Sequence, residues 1–170
     1  MQIRKALNKD ALNLKFLKTQ VWLHTYATKG INDEYTEYLE ADFTYENCLR
    51  SISDKNKYCL VAEENNFLIA YCEVNFEAIH PDTKENCAEM TVLYVSEHFY
   101  GRGIGKALVI EAEKHLYSKG ISNYWLSCFI ENQNAIDFYT YLGFKSNSSI
   151  YFTMGENKYE NLVFQKEIKN

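Results

Sequence analysis

The sequence predicts an α/β fold in which helices are layered on a sheet, and three observations carry that expectation. Apolar residues recur at helical intervals as far as Ile52 and change to strand-like runs from Lys57 onward. Two such runs, at 58–62 and 67–74, are joined by Glu63-Glu64-Asn65-Asn66, a loop length that suits an antiparallel hairpin. The stretch EMTVLYVSEHFYGRGIG, residues 89–105, runs from a strand pattern through a glycine cluster into an amphipathic helix and then a further strand. That is a βαβ unit of about 40 residues, whose two strands are parallel. A chain of 170 residues holds one domain, 1–170, and is too short for two with cores of their own.

Residues 2–6 form a short edge strand. Asn8 or Asp10 caps a helix whose apolar positions Leu12, Phe16, Leu17, Val21 and Leu23 keep helical spacing, and which continues through Trp22 and Tyr26 to stop near Gly30. In residues 31–53, Tyr35, Tyr38, Leu39, Phe43, Tyr45, Leu49 and Ile52 alternate with acids as one or two short helices broken near Phe43-Thr44. After the hairpin, HPDTKEN at 80–86 is a polar, turn-rich excursion before the strand at 87–95. Beyond the glycines, Ile104, Leu108, Ala112 and Leu116 fall four apart on a helix that ends at Gly120. A strand at 124–130 follows, then a helix at 132–142 with Ala135, Ile136, Phe138 and Leu142 on its buried side. The last strands are at 149–154 and 160–167.

Composition narrows the function. A formal charge of -5 and a pI of about 5.4 argue against nucleic acid as a partner, and an acidic surface can attract a cationic substrate. Cys48, Cys59, Cys72, Cys87 and Cys128 are odd in number, widely spaced and without a CxxC pair, as expected of reduced core thiols in a cytoplasmic protein. The N-terminus is too charged for a signal sequence, and no apolar run approaches 18 residues, so no membrane association is expected. His24, His80, His98 and His115 are scattered without partners at ligand spacing, so no metal is expected.

A strand, a loop of small residues and a helix start make an anion site, because Gly101, Gly103 and Gly105 let backbone N–H groups approach a ligand and the helix aims its dipole at the same spot. The spacing rejects a Walker loop: Ala107 follows Gly105-Lys106 where Ser or Thr binds magnesium, and Tyr100 stands where the first glycine belongs. A dinucleotide fingerprint fits poorly, with Lys106 at the last glycine position. The pattern R/Q-x-x-G-x-G/A remains, and with LYVSEHFYGRGIGKAL around it this segment resembles the pyrophosphate loop of the GNAT superfamily of N-acetyltransferases. About 30 residues on, the segment from Glu131 to Phe144 is similar to that superfamily's N-x-x-A-x-x-x-Y-x-x-x-G-F. The departure is Tyr100, at the position that normally carries Arg or Gln.

The resemblance implies a GNAT-type fold: a mixed, mostly antiparallel sheet with a central parallel pair splayed apart, flanked by helices, with acetyl-CoA in the gap. It implies main-chain contacts from Leu93, Tyr94 and Val95 and a phosphate cradle from Gly101, Arg102, Gly103, Ile104, Gly105 and Lys106. Tyr139 on periodicity alone is a core aromatic beside Ala135 and Phe138, and by resemblance it protonates the departing thiolate. Asn134 contacts the pantetheine arm or helps to cap its helix. Glu89, on one strand face with Thr91 and Leu93, is a general base or a solvated strand-end charge. Trp22, Tyr26, Tyr35 and Tyr38, with Asp33, Glu34 and Glu37, form either an aromatic, acidic cage for a cationic amine or ordinary packing with a solvated face. The C-terminal YFTMGE and NLVF are similar to bacterial spermidine/spermine acetyltransferases.

The expected function is direct transfer of acetyl from acetyl-CoA to a small primary amine, with a polyamine leading. The alternatives are a protein or peptide acetyltransferase and, from another class, a non-catalytic acyl-CoA-binding module. A small-molecule amine is the expected partner, and a homodimer is left open.

Overall fold

Where the apolar period changes at Lys57, three helices give way to the body of a sheet. The computed structural model describes residues 1–168. In chain order it contains β1 (Gln2–Lys5), a 3-10 turn (Asn8–Asp10), α1 (Ala11–Tyr26), α2 (Asp33–Asp42), α3 (Tyr45–Ser53), β2 (Lys57–Glu64), β3 (Phe67–Ile79) and β4 (Asn86–Val95). A second 3-10 turn (Glu97–Phe99) leads to α4 (Ile104–Ser118), β5 (Asn123–Phe129), α5 (Gln133–Tyr141), β6 (Lys145–Met154) and β7 (Asn157–Glu167). The strands form one seven-stranded sheet in the order β1-β2-β3-β4-β5-β7-β6. Only β4 and β5 are parallel; the other neighbours are antiparallel.

The sheet is covered on both faces. One face packs under α4 and α5: Ile104, Leu108, Val109, Ala112 and Leu116 of α4 meet Leu60, Cys72, Val74, Met90, Tyr124 and Leu126 in one apolar cluster. The four-residue spacing read from sequence is the buried stripe of α4, with all four of its residues no more than 2% exposed. The other face packs under α1 and α3, where Ala11, Leu14, Leu17, Val21, Cys48 and Ile52 meet Cys59, Val61 and Tyr71. A third cluster joins the end of α1 to α2 and the C-terminal hairpin through Trp22, Phe43 and Met154.

Four local expectations are corrected. The buried stripe of α1 runs through Ala11, Leu14, Leu17, Val21 and Trp22, while Leu12 and Phe16 are 53% and 62% exposed. The helix is apolar nearly all round, so its periodicity did not say which stripe the sheet would select. Neither Asn8 nor Asp10 caps α1 through its side chain. Instead the Asp10 carboxylate accepts from the Leu7 N–H at 2.8 Å and pairs with Arg4 at 2.6 Å, pinning β1 to the entry of the helix. The β2–β3 loop tightens to Asn65-Asn66, at φ 52° and 67°, because two residues in the left-handed region match the twist of the flanking strands. In α5 the buried residue is Tyr139, with Ala135, Ile136, Phe138 and Leu142 only partly buried around it.

These packing assignments are checked by a pair of alanine substitutions in urea denaturation. Leu108→Ala is expected to cost about 3 kcal/mol, as for a fully buried leucine, and Leu12→Ala less than about 0.5 kcal/mol.

Candidate active site

The site begins where two strands part. β4 and β5 pair only at Ala88↔Tyr124 and Glu89↔Trp125. From there β4 keeps β3 on one side as far as Val95, and β5 keeps β7 on its other side as far as Phe129. The edge of β4 that faces β5 therefore has no strand partner over Met90 to Val95, and this is the stretch in which Leu93, Tyr94 and Val95 were expected to offer their backbone.

The glycine turn lies just past the end of β4. Gly101 and Gly103 have φ of 73° and 74°, where a side chain would strain the backbone, and an added Cβ at either would meet nothing within 4 Å. Gly103 is the N-cap of α4 and makes no side-chain cap. The first helical hydrogen bond goes from the Ala107 N–H to the Gly103 carbonyl, so Ile104, Gly105 and Lys106 point N–H groups out of the helix without an acceptor among the described residues. Gly105 has another role than flexibility. It lies inside α4, and a Cβ there would sit 3.2 Å from the Phe138 ring, so its absence lets α5 approach. The Arg102 guanidinium is tied to Glu64 on the β2–β3 hairpin at 2.7 Å, and Lys106 lies 5.4 Å over the Tyr141 ring. Tyr100, 51% exposed, leans toward α1 with its ring 6.2 Å from that of His24, which pairs with Glu97 at 2.6 Å.

Three phenols from different elements lie near one another. Tyr139 of α5 packs against Phe138, Phe144 and Phe164, with ring centroids 5.3, 5.5 and 5.9 Å away. Burial pushes its hydroxyl well above the usual phenol range, with Cys128, Cys72 and Tyr26 adding to the shift, so it holds its proton. Tyr26 comes from the end of α1, pushed up to about 12 by burial, with the Asn132 side chain acting in the opposite direction. Tyr94 of β4 is raised by burial and by the neighbouring Tyr26, Tyr38 and Tyr139.

Asn134 is exposed and does not cap α5; the cap is Asn132, whose Oδ1 accepts from the Ala135 N–H at 3.2 Å. The signal was present in the sequence, because Asn132 and not Asn134 stands three residues before Ala135 in the N-x-x-A spacing.

Glu89 does not share a face with Leu93. The β3–β4 register steps from Glu73↔Val92 to Val74↔Met90, leaving Thr91 as an extra residue and reversing the alternation of side chains. Leu93 and Val95 therefore turn toward α4, and Val92 and Tyr94 toward α1. Glu89 lies on the α1 side near Glu73, and burial, then the Glu73 charge, push its carboxyl up to about 7, against a smaller opposing effect of Lys57. Glu73 itself is 4% exposed and accepts from Lys57 at 2.7 Å, Tyr71 at 2.6 Å and Thr91 at 3.1 Å. Its burial alone would raise it, but Lys57 and Tyr71, with the nearby charge of Lys18, hold it below the usual carboxylate range. Sequence reading missed Glu73, although it is the one acid inside the apolar run of β3.

On the same face, a cavity of about 770 Å³ opens between α2, α3 and the β6–β7 hairpin. Tyr38, Phe43 and Phe152 form aromatic walls, and Thr91, Val92 and Tyr94 bring β4 to it. Five carboxylates (Glu34, Glu37, Asp42, Asp54, Glu73) face three cations (Lys18, Arg50, Lys57). Trp22 and Tyr35 do not line it: Trp22 is 5% exposed and packs against Tyr26, Tyr35 and Tyr38 at 5.1 to 5.5 Å, supporting the wall from behind. Glu34 is engaged by Tyr159 and Asn157, each at 2.8 Å, which docks α2 onto the C-terminal hairpin. Asp33 is exposed and is not part of the lining. Among the described residues, no three His, Cys, Asp or Glu side chains group to hold a metal, and no helix is long and apolar enough to cross a membrane.

A splayed parallel pair followed by an uncapped glycine turn defines the class. Residues 18–144 match the acetyltransferase (GNAT) family model, and the chain belongs to that family; it is an N-acetyltransferase. More particularly, it is similar to the spermidine N(1)-acetyltransferase of Thermoplasma acidophilum, 32% identical over 173 residues that cover 94% of this chain and 98% of that protein. The fold is similar to the crystal structure of PaiA N-acetyltransferase from the same organism in complex with coenzyme A, with a TM-score of 0.80, 26% identity and 98% of each chain covered. A ribosomal-protein-alanine N-acetyltransferase from Brucella melitensis shares the fold at a TM-score of 0.70 and 18% identity, covering 98% of this chain and 99% of that one.

The environment of Glu89 has a sign that can be tested. A carboxyl raised from 4.5 to about 7 in the folded protein stabilises it while protonated, so this contribution is complete below about pH 4.5 and is lost as pH rises through about 7. Glu89→Gln is expected to raise the melting temperature relative to wild type above pH 7 and to leave it unchanged near about pH 4.5, in thermal melts across that range.

Proposed function

We propose that this protein transfers acetyl from acetyl-CoA directly to a primary amine of a small polycation, a polyamine of the spermidine type, in the cytoplasm. The observation that carries the choice of acceptor is the cavity beside β4, with aromatic walls and an excess of carboxylates. Such a lining attracts ammonium groups through charge and through the faces of its rings. The spermidine acetyltransferase similar along nearly the whole chain supports the same choice.

The residues present fit acetyl-CoA. The free N–H groups of Ile104, Gly105 and Lys106 suit a pyrophosphate, and the unpartnered edge of β4 suits the amides of a pantetheine arm. When bound, the co-substrate supplies an activated thioester carbonyl. The backbone of Leu93 to Val95 then holds it and offers an N–H to the charge that develops on its oxygen. Glu89, poised near neutrality, takes a proton from the acceptor ammonium directly or through water. The amine nitrogen bonds to the carbonyl carbon, the carbon–sulfur bond breaks, and Tyr139 donates a proton to the sulfur. A phenol raised by burial is a weak acid, so the proton that the nitrogen sheds must restore it, and the neighbouring phenols of Tyr26 and Tyr94 can pass it on.

Three experiments test the proposal. In a panel of polyamines, aminoglycosides, amino acids and basic peptides, release of free thiol from acetyl-CoA is expected to be fastest with polyamines; preference for a basic peptide would remove this acceptor. Tyr139→Phe is expected to lower kcat by about 100-fold while coenzyme A binding is kept. For the cavity, the double substitution Glu37→Gln with Asp42→Asn is expected to raise KM for spermidine by about tenfold with kcat unchanged.

A further inference from the structure

The bulge in β4 needs something to hold it. An extra residue in one strand leaves a backbone unit outside the ladder, and the pairing of β3 with β4 would be more regular without it. Its consequence here is large, because it decides which side chains and which backbone groups of Val92 to Val95 turn toward the gap. Thr91 is the extra residue, and it is exposed, so packing does not fix it. Its hydroxyl lies 3.1 Å from Glu73 Oε1 and 3.4 Å from the Glu73 carbonyl oxygen.

Glu73 is an expensive way to hold a threonine. A buried carboxylate is tolerated only when its oxygens are fully engaged, and Glu73 satisfies that with Lys57 and Thr91 on Oε1 and Tyr71 on Oε2. Tyr71 is in turn 1% exposed, and Lys57 also donates to Ser51 of α3 at 3.2 Å. The carboxylate is thus held from β2 and from its own strand, with Lys57 itself held from α3, while its third bond reaches across to the single irregular residue of β4. An apolar residue at this position would pack as well and leave Thr91 unheld.

We propose that Glu73 is a positioning residue for acetyl transfer: fixed by Lys57 and Tyr71, its carboxylate keeps Thr91 in the bulge and so sets how the backbone of Val92 to Val95 meets the gap beside β5. This rests on the reading that the β4 backbone receives the acyl group. Glu73 touches neither reactant in this role. It acts through Thr91, and the hydroxyl of Thr91 is the link that can be cut without disturbing the core.

The test compares Thr91→Val, which removes the hydroxyl at constant shape, with Thr91→Ser, which keeps it. Assays use the full chain with acetyl-CoA and spermidine, and 1H–15N spectra are recorded with and without coenzyme A. Thr91→Val is expected to lower kcat by about tenfold, since a small misplacement of the reacting groups is enough for that, while the melting temperature stays near wild type. It is also expected to shift the amide signals of Leu93, Tyr94 and Val95 in the free protein. Thr91→Ser is expected to restore both rate and signals. Glu73→Leu, which removes the acceptor, is expected to lower kcat and shift the same amide signals, with a lower melting temperature and a higher KM besides because Lys57 loses its partner and the cavity a carboxylate; adding Thr91→Val to it is expected to slow it no further, because both cut one link. Unchanged rate and unchanged amide signals in Thr91→Val, or a Thr91→Ser variant as impaired as Thr91→Val, would overturn the proposal. The reading of β4 as the acyl site fails separately, if the wild-type amides of Val92 to Val95 do not respond to coenzyme A. The comparison of Val with Ser in the free protein then still decides whether Glu73 holds the bulge.

Discussion

Everything at the site follows from the separation of β4 and β5 after two paired residues. Two parallel strands that stay together leave no backbone free, whereas two that part leave a polar edge inside the protein that must find partners. The chain arranges for them to part by giving each a full partner on its outer side, β3 for β4 and β7 for β5, so the sheet remains continuous at its base while it opens at its top. The glycine turn, the uncapped start of α4, Tyr139 from one face and Tyr26 from the other all lie around that opening.

The second constraint is electrostatic. Two glutamates on neighbouring strands are pushed apart in acidity by their surroundings: Glu73 has three donors and stays ionised, while Glu89 is half-buried near that fixed charge and is raised toward neutrality. Divergent carboxylates of this kind give a site one permanent anion and one exchangeable proton. The fixed anion also holds Thr91, so the residue that sets the strand's shape is the one that sets its neighbour's charge.

Elements were legible wherever one face alone had to be apolar. The stripe of α4 and the break between α2 and α3 could be read directly, the latter because Thr44 is an N-cap that accepts from the Asn47 N–H. The stripe of α1 could not, because Leu12 and Phe16 are as apolar as Leu14 and Leu17 and only the sheet chose between them. The glycine loop was readable from spacing, whereas Tyr139 read from periodicity only as a core aromatic and was singled out through the family resemblance. Asn132 was readable too, but its neighbour Asn134 was taken for it. Of the aromatic and acidic residues of the first two helices, Tyr38, Glu34 and Glu37 line the cavity, whereas Trp22 stands behind its wall.

By itself, the order of residues determined the βαβ unit around the glycines, because it depends on local spacing that backbone geometry enforces, and through the resemblance of two motifs it also determined the family and pointed to the tyrosine on the helix that follows. Tertiary structure decided the face on which Glu89 lies, since a single unpaired threonine reverses the alternation of a strand and leaves no mark in hydrophobic pattern. It also decided that an isolated acid in β3 would be the best-anchored charge of the site. Its three partners come from residues 57, 71 and 91, and only the pairing of β2, β3 and β4 brings them to one carboxylate.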